Sequence, residues 1–384
     1  MRSYSAAQGE AAPPSPFDRW FVAAFLAILL LGLLMMTSAS IVISDKSLQQ
    51  PFYFLFKQLI YLALGVAIGS MIVQLHMDYW EKYGGYLLLA VMLMLSLVLI
   101  PGIGHRVNGS ARWLGIGPLG FQVSELAKFA MVIFMAGYLV RRNAEIQQEL
   151  SGFVKPMLLL AATAVLLLRE PDFGATVVVI VTAMGMMFIG GMRIRHFAAI
   201  LSVAVGLLAV IAISAPYRLA RLTSFMDPWK RPFDTGYQLT QSLIAFGRGG
   251  WFGAGLGKSI QKMFYLPEAH TDFLFAVIAE ELGLVGMLLV IGLFTLLVIR
   301  IFLMAREAQK LDRHFSGYVA YGFGTWVAIQ FIVSIGVNSG LLPTKGLTLP
   351  LMSYGGSSVL VNCVMIAVLL RIDHENRLIA LGIQ

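Results

Sequence analysis

Residues 266–283 read LPEAHTDFLFAVIAEELG, and the sixteen residues that follow, LVGMLLVIGLFTLLVI (284–299), hold no charge. Pro267 stops any helix running in from the preceding loop, so the spacing predicts a helix that begins near Thr271 or Asp272. A helix from 271 to 299 is longer than the roughly 20 residues that cross a bilayer, and its apolar run is too long for an ordinary buried segment. Its reading sets the class of the whole chain, because similar runs recur from end to end.

Of 384 residues, 58% are hydrophobic and only 12% charged, with a mean hydropathy of +0.80. Backbone groups in lipid must bond within their own segment, so the chain reads as an all-α polytopic membrane protein. Ten candidate spans fall near 21–43, 53–74, 84–100, 124–140, 154–168, 174–192, 196–214, 271–299, 317–341 and 355–370. Residues 1–20, with AAPPSP at 11–16, read as a disordered cytoplasmic tail, and 21–384 as one transmembrane domain. The first span is too long for the apolar core of a secretion signal and is read as a retained anchor.

Lys and Arg set the orientation. With the N-terminus inside, cytoplasmic segments hold thirteen of them and the short outer segments six, which puts both termini in the cytoplasm. The connection 215–270, between spans 7 and 8, is then a large outer loop with seven basic and three acidic residues. That excess suits an anionic ligand or lipid headgroup, and equally a solvated loop. The formal charge of +8 reflects inner-face anchoring and does not argue for nucleic acid.

Several chemistries drop out. The lone Cys363 forms no intramolecular disulfide, and six dispersed histidines lack zinc-ligand spacing. GAGLGKS (253–259) resembles a phosphate loop, but the first Gly of that motif would fall at 252, which is Phe. The glycines and nearby Trp251 and Phe252 instead suit backbone lying close along the bilayer surface.

What remains gathers at the outer face. Asp272 heads span 8 with Glu268 and His270, and SELAKF (124–129) puts Glu125 and Lys128 at the mouth of span 4. The connection 101–122 adds Arg106 and Arg112, and the Pro- and Gly-rich connection 342–358 adds Lys345. Asp272 also has a structural reading as a helix cap, and Asp172 of REPD (169–172) reads most simply as one. Lys128 opposes the helix dipole and needs an anion, either Glu125 or a substrate phosphate. Glu280 and Glu281, about 12 Å deeper, read as structural groups satisfied by neighbours. A single carboxylate among cations suits transfer from a diphosphate donor: one base takes the acceptor's proton, and cations or a divalent ion neutralise the leaving group.

LPEAHTDFLFAVIAEELG, VNSGLLPTKGLTLPLMSYGGSS (337–358) and SARWLGIGPLGFQVSELAK (110–128) resemble signature segments of the SEDS family (shape, elongation, division and sporulation). PTKGLTLP (343–350) is similar to the cell-division branch rather than the elongation branch. The resemblance implies a peptidoglycan glycosyltransferase of ten helices that polymerises lipid II at the outer face of the bacterial cytoplasmic membrane, at the division septum. It implies a single-pass class B penicillin-binding protein and other division proteins as partners, with loop 215–270 contacting substrate and partner. It makes Asp272 the essential acid, as base or as ligand to Mg or Mn, and matches Lys128 and Lys345 to positions associated with activity. Arg112, Arg106, His270, Glu268 and Glu125 complete the expected substrate site. A lipid II flippase using Glu280 and a non-catalytic division scaffold are the rival readings.

Overall fold

The computed structural model describes residues 16–107, 110–116, 119–148, 151–213, 224–343 and 346–383. Ten long helices match the ten expected spans: α1 (Arg19–Leu48), α2 (Tyr53–Ile72), α3 (Met77–Val98), α4 (Val123–Arg141), α6 (Ser151–Arg169), α7 (Phe173–Ile189), α8 (Ile194–Ile213), α10 (Leu274–Lys310), α11 (His314–Asn338) and α12 (Gly356–Ala380). Shorter helices lie in connections, among them α5 (Asn143–Gln148) and α9 (Tyr237–Gly249). Between α3 and α4 the chain forms a three-stranded antiparallel sheet, β1 (Gly104–Val107), β2 (Ser110–Ile116) and β3 (Leu119–Gln122), where the sequence reading had only a connection. That sheet marks one end of the bundle. The start of α1 and the end of α12, here the termini end, lie at the other, where Asp18 meets Asp373.

α4 and α12 form the centre: 89% and 83% of their apolar windows are buried, against 22% for α2. Most of α2 therefore faces outward, and its burial is confined to Gln58, Tyr61 and two glycines. The non-helical segment Leu349–Tyr354 enters the bundle against α1, where Gly32 permits it. A Cβ at Gly32 would lie 2.6 Å from Met352 Cα. Irregular backbone at this depth is tolerable because it is buried in protein, and several of its polar groups are bonded: Leu349 N to Ser353 Oγ, Met352 N and Ser353 N to Leu349 O, and Tyr354 N to His270 O.

The tail is ordered further than expected. Residues 1–15 lie outside the described residues, but Asp18 caps α1, accepting from Trp20 N and Phe21 N, so Arg19 and Trp20 are its first turn. Asp18 also pairs with Arg300, and its own amide donates to Asp373 Oδ2 at 2.6 Å. Arg313 and Arg371 both meet Glu375 nearby, which ties α10, α11 and α12 together at the termini end.

α10 is not one rod. At Gly283 (φ 67°, ψ −162°) the helix breaks, a conformation that costs an L side chain and suits glycine. The segment 250–255 fills the gap: Ala254 N and Gly255 N donate to Glu280 O and Glu281 O, while Leu284 N and Val285 N donate to Gly250 O and Trp251 O. The glycine-rich run thus lies along a broken helix, with Trp251 and Phe252 exposed.

Candidate functional site

α10 starts at Leu274, two residues past the expected aspartate, so Asp272 sits in the turn before the helix and is not its cap. Among the described residues its carboxylate accepts no hydrogen bond, and the side chain is partly exposed. The capping explanation fails here. It holds for Asp172, which accepts from Ala175 N at the start of α7 and from Ser124 Oγ and Gln122 Nε2.

The turn carrying Asp272 is stitched to the loop that follows α11. Asn338 Nδ2 donates to Asp272 O at 2.9 Å, and Asn338 Oδ1 accepts from Ala276 N at 3.1 Å. Ser353 Oγ donates to Thr271 O, and Tyr354 N to His270 O. Glu268, in a left-handed conformation (φ 57°), accepts from the amides of Thr271 and Phe273 and closes the turn. Gly346 lies against the free carboxylate, where a Cβ would stand 3.0 Å from Asp272 Oδ2. Lys345, the residue before it, lies outside the described residues.

Burial pushes the Asp272 carboxyl up to about 7, with Glu268 adding to the rise and Arg112 opposing it. The Arg112 guanidinium is fixed by the turn before α7, donating to Glu170 O at 3.1 Å and Pro171 O at 2.6 Å. That turn also holds a group the sequence reading passed over. Glu170 is fully buried, among the described residues neither of its carboxyl oxygens has a hydrogen-bond partner, and burial raises it to about 8. The REPD motif drew attention to its capping aspartate, and nothing in the spacing marks the glutamate as buried.

The other candidates divide. Lys128, 2% exposed, donates to Glu125 Oε1 at 2.8 Å and Gln330 Oε1 at 3.0 Å and lies over the Trp326 ring. Of its two readings, internal pairing is the one seen. Gln330 passes the connection on, donating to Thr348 O in the loop beside Asp272. His270 is buried between Phe54 and Tyr354, and burial lowers its pKa, so it packs as a neutral ring. Glu268 is exposed beside it, bonded to Thr271 Oγ1. Arg106 lies on β1 opposite Ala111.

Glu280 and Glu281 are structural, as expected. Glu280 accepts from Arg248 Nη1, Ser259 Oγ and the amides of Ile260 and Gln261. Glu281 accepts from Lys262 Nζ at 2.6 Å, Ser38 Oγ and the amides of Gly257 and Ser259. They are sockets for the 250–262 segment.

Comparisons with known proteins bear on the family and the fold. The profile of the cell cycle protein family FtsW/RodA/SpoVE matches residues 18–378. A probable peptidoglycan glycosyltransferase FtsW of Legionella pneumophila is 54% identical over 97% of this chain and 94% of its own. The like-named protein of Coxiella burnetii is 53% identical over 94% of this chain and 96% of its own. Among solved structures, a chain of a peptidoglycan synthase complex that coordinates polymerization and crosslinking superposes with a TM-score of 0.78 at 29% identity, covering 94% of this chain and 98% of that one. The rod shape determining protein RodA of Thermus thermophilus gives 0.69 at 29% identity, covering 94% and 97%.

Proposed function

The chain belongs to the FtsW/RodA/SpoVE family of cell cycle proteins, and on that premise we propose that it is a peptidoglycan glycosyltransferase that polymerises lipid II during division. One observation carries the chemical assignment: an aspartate whose carboxylate, among the described residues, accepts no hydrogen bond, held on a pinned backbone and pushed up to about 7. A base with a pKa near the working pH combines the right protonation state with useful driving force.

In this reading Asp272 takes the proton of the acceptor sugar's hydroxyl as that oxygen attacks the donor's anomeric carbon. The lipid diphosphate leaves with the bonding electrons. Lys345, next in the chain to Gly346, and Arg112 meet its charge, with Lys128 contributing from behind Gln330. Arg106 at the sheet adds positive charge, and Glu268 and His270 shape the turn. A divalent ion would be held by Asp272 and phosphate oxygens, since Mg²⁺ commonly takes one or two carboxylates plus substrate phosphates. It would neutralise the leaving group.

The Lys and Arg bias supports termini in the cytoplasm, which puts the sheet end and Asp272 on the outer face. Septal placement and a cross-linking penicillin-binding partner belong to the same proposal, supported by the FtsW name of the relatives and by the coordination of polymerization and crosslinking in the synthase complex. The flippase reading loses its polar path, because Glu280 is fully engaged by Arg248, Ser259 and loop amides. Purified protein with its partner and labelled lipid II tests the proposal. Glycan strands formed by Asp272→Ala at the normal rate would remove Asp272 from the chemistry.

A further inference from the structure

At the termini end, away from Asp272, a cavity of about 570 Å³ opens between α3, α4 and α6. Its size falls within the range of small-molecule sites. Two cations line it, Lys82 from α3 and Arg141 from α4, together with Glu81. Among the described residues neither cation forms an ion pair. The Lys82 ammonium lies over the Tyr83 ring at 5.5 Å. The Arg141 guanidinium turns back along its own helix and lies beside Gly137, where a Cβ would stand 2.8 Å from Nη1.

That direction is informative. An arginine at a helix end normally snorkels its charge outward to water. This one follows the N-terminal lean of helical side chains and lies one turn back over Gly137, whose lack of a side chain leaves room for it, while Arg141 stays exposed to the groove. Beyond the charges the lining is apolar, with Leu89, Phe134 and Leu159 on the three helices. The wall is low at Gly85, where a Cβ would meet nothing within 4 Å.

We propose that this groove binds one anionic glycerophospholipid, its phosphate between Lys82 and Arg141 and its acyl chain along the apolar wall. The site's formal charge of two cations and one carboxylate complements a headgroup of charge −1, such as phosphatidylglycerol, whose glycerol hydroxyls can donate to Glu81. A zwitterionic headgroup leaves the site's charge uncompensated. On the topology proposed above, the lipid belongs to the cytoplasmic leaflet, but the binding itself does not depend on that orientation or on the enzymatic reading.

Native mass spectrometry of the full-length detergent-purified protein, titrated with phosphatidylglycerol or phosphatidylethanolamine of matched chains, tests it. Each basic side chain near a headgroup contributes enough that removing two should weaken retention about tenfold or more. Lys82→Gln with Arg141→Gln should therefore lose the preference for phosphatidylglycerol. Gly85→Leu, which has room to be accommodated, should lower retention of both lipids by filling the groove. Unfolding temperature in lipid-free detergent and polymerisation rate should stay near wild type in both variants. Equal retention of the two lipids by wild type, or undiminished phosphatidylglycerol binding by Gly85→Leu, overturns the proposal whether or not the double variant folds. Polymerase activity is read separately, so a failed glycosyltransferase assignment leaves this result interpretable.

Discussion

Asn338 holds Asp272 by its backbone: one amide group donates to the aspartate's carbonyl at 2.9 Å while its oxygen accepts from Ala276 N at 3.1 Å. The backbone that carries the carboxylate is thereby fixed from two sides, and among the described residues the carboxylate itself accepts no hydrogen bond. Misplacing a reacting group by about 1 Å can cost on the order of 100-fold in rate. Asn338→Ala should lower kcat for lipid II polymerisation by roughly 10- to 100-fold while changing KM little. Asn338→Asp keeps only the acceptor toward Ala276 and should fall between. Steady-state kinetics of the three proteins separate positioning from a simple loss of folded enzyme.

Gly346 limits what can stand beside that carboxylate. Alanine there puts a methyl 3.0 Å from Asp272 Oδ2, which forces the side chain aside and dries its surroundings. Gly346→Ala should reduce polymerisation at least tenfold and move the pH profile to the alkaline side, with normal protein yield. A profile identical to wild type would mean the glycine serves only the loop.

Asp272 titrates near 7, and as a base it works when deprotonated. The polymerisation rate should rise between about pH 6 and 8 and level off above, following one ionisation. Bound cations or a divalent ion would pull the midpoint down. A rate that falls across this range contradicts the base assignment.

Glu170 offers a stability test with the sign fixed by linkage. Its folded pKa, about 8, lies above its ordinary value of 4.5, so the folded state holds the proton more tightly. Its contribution is fully present below the ordinary value and is lost as pH rises toward 8. Glu170→Gln keeps the neutral form, so wild type should lose thermal stability relative to the variant from about pH 5 to 8, and the gap should stop growing above.

Lys262 and Glu281 form a pair with both side chains almost fully buried. Removing one partner strands a buried charge, at a cost of roughly 3–5 kcal/mol. Lys262→Met should therefore destabilise more than the double change Lys262→Met with Glu281→Gln, as read by thermal unfolding in detergent.

Much of this was legible in the chain. The ten apolar runs place the ten long helices because lipid leaves the backbone little choice. Asp272 was legible as an acid at the mouth of a span, and Glu280 and Glu281 as charges too costly to leave unpaired. The sheet at 104–122 was missed although Asn108-Gly109 is a strong hairpin dipeptide, since apolar length dominates the reading of such a composition. Lys128 could not be resolved from sequence, because its second partner, Gln330, is 202 residues away. Glu170 lies in the turn between α6 and α7 that Arg112 of β2 reaches from 58 residues away, a meeting that no local pattern encodes.

The break at Gly283 has a consequence for how the protein can vary. Peptide groups that would have bonded across the interruption are instead claimed by residues 250–255. The height and rotation of the turn that carries Asp272 are thus referenced to the ribbon 250–255 as well as to the shaft beneath it. Adding or deleting a residue below the break should be tolerated at the catalytic end, whereas the same change within the ribbon should not.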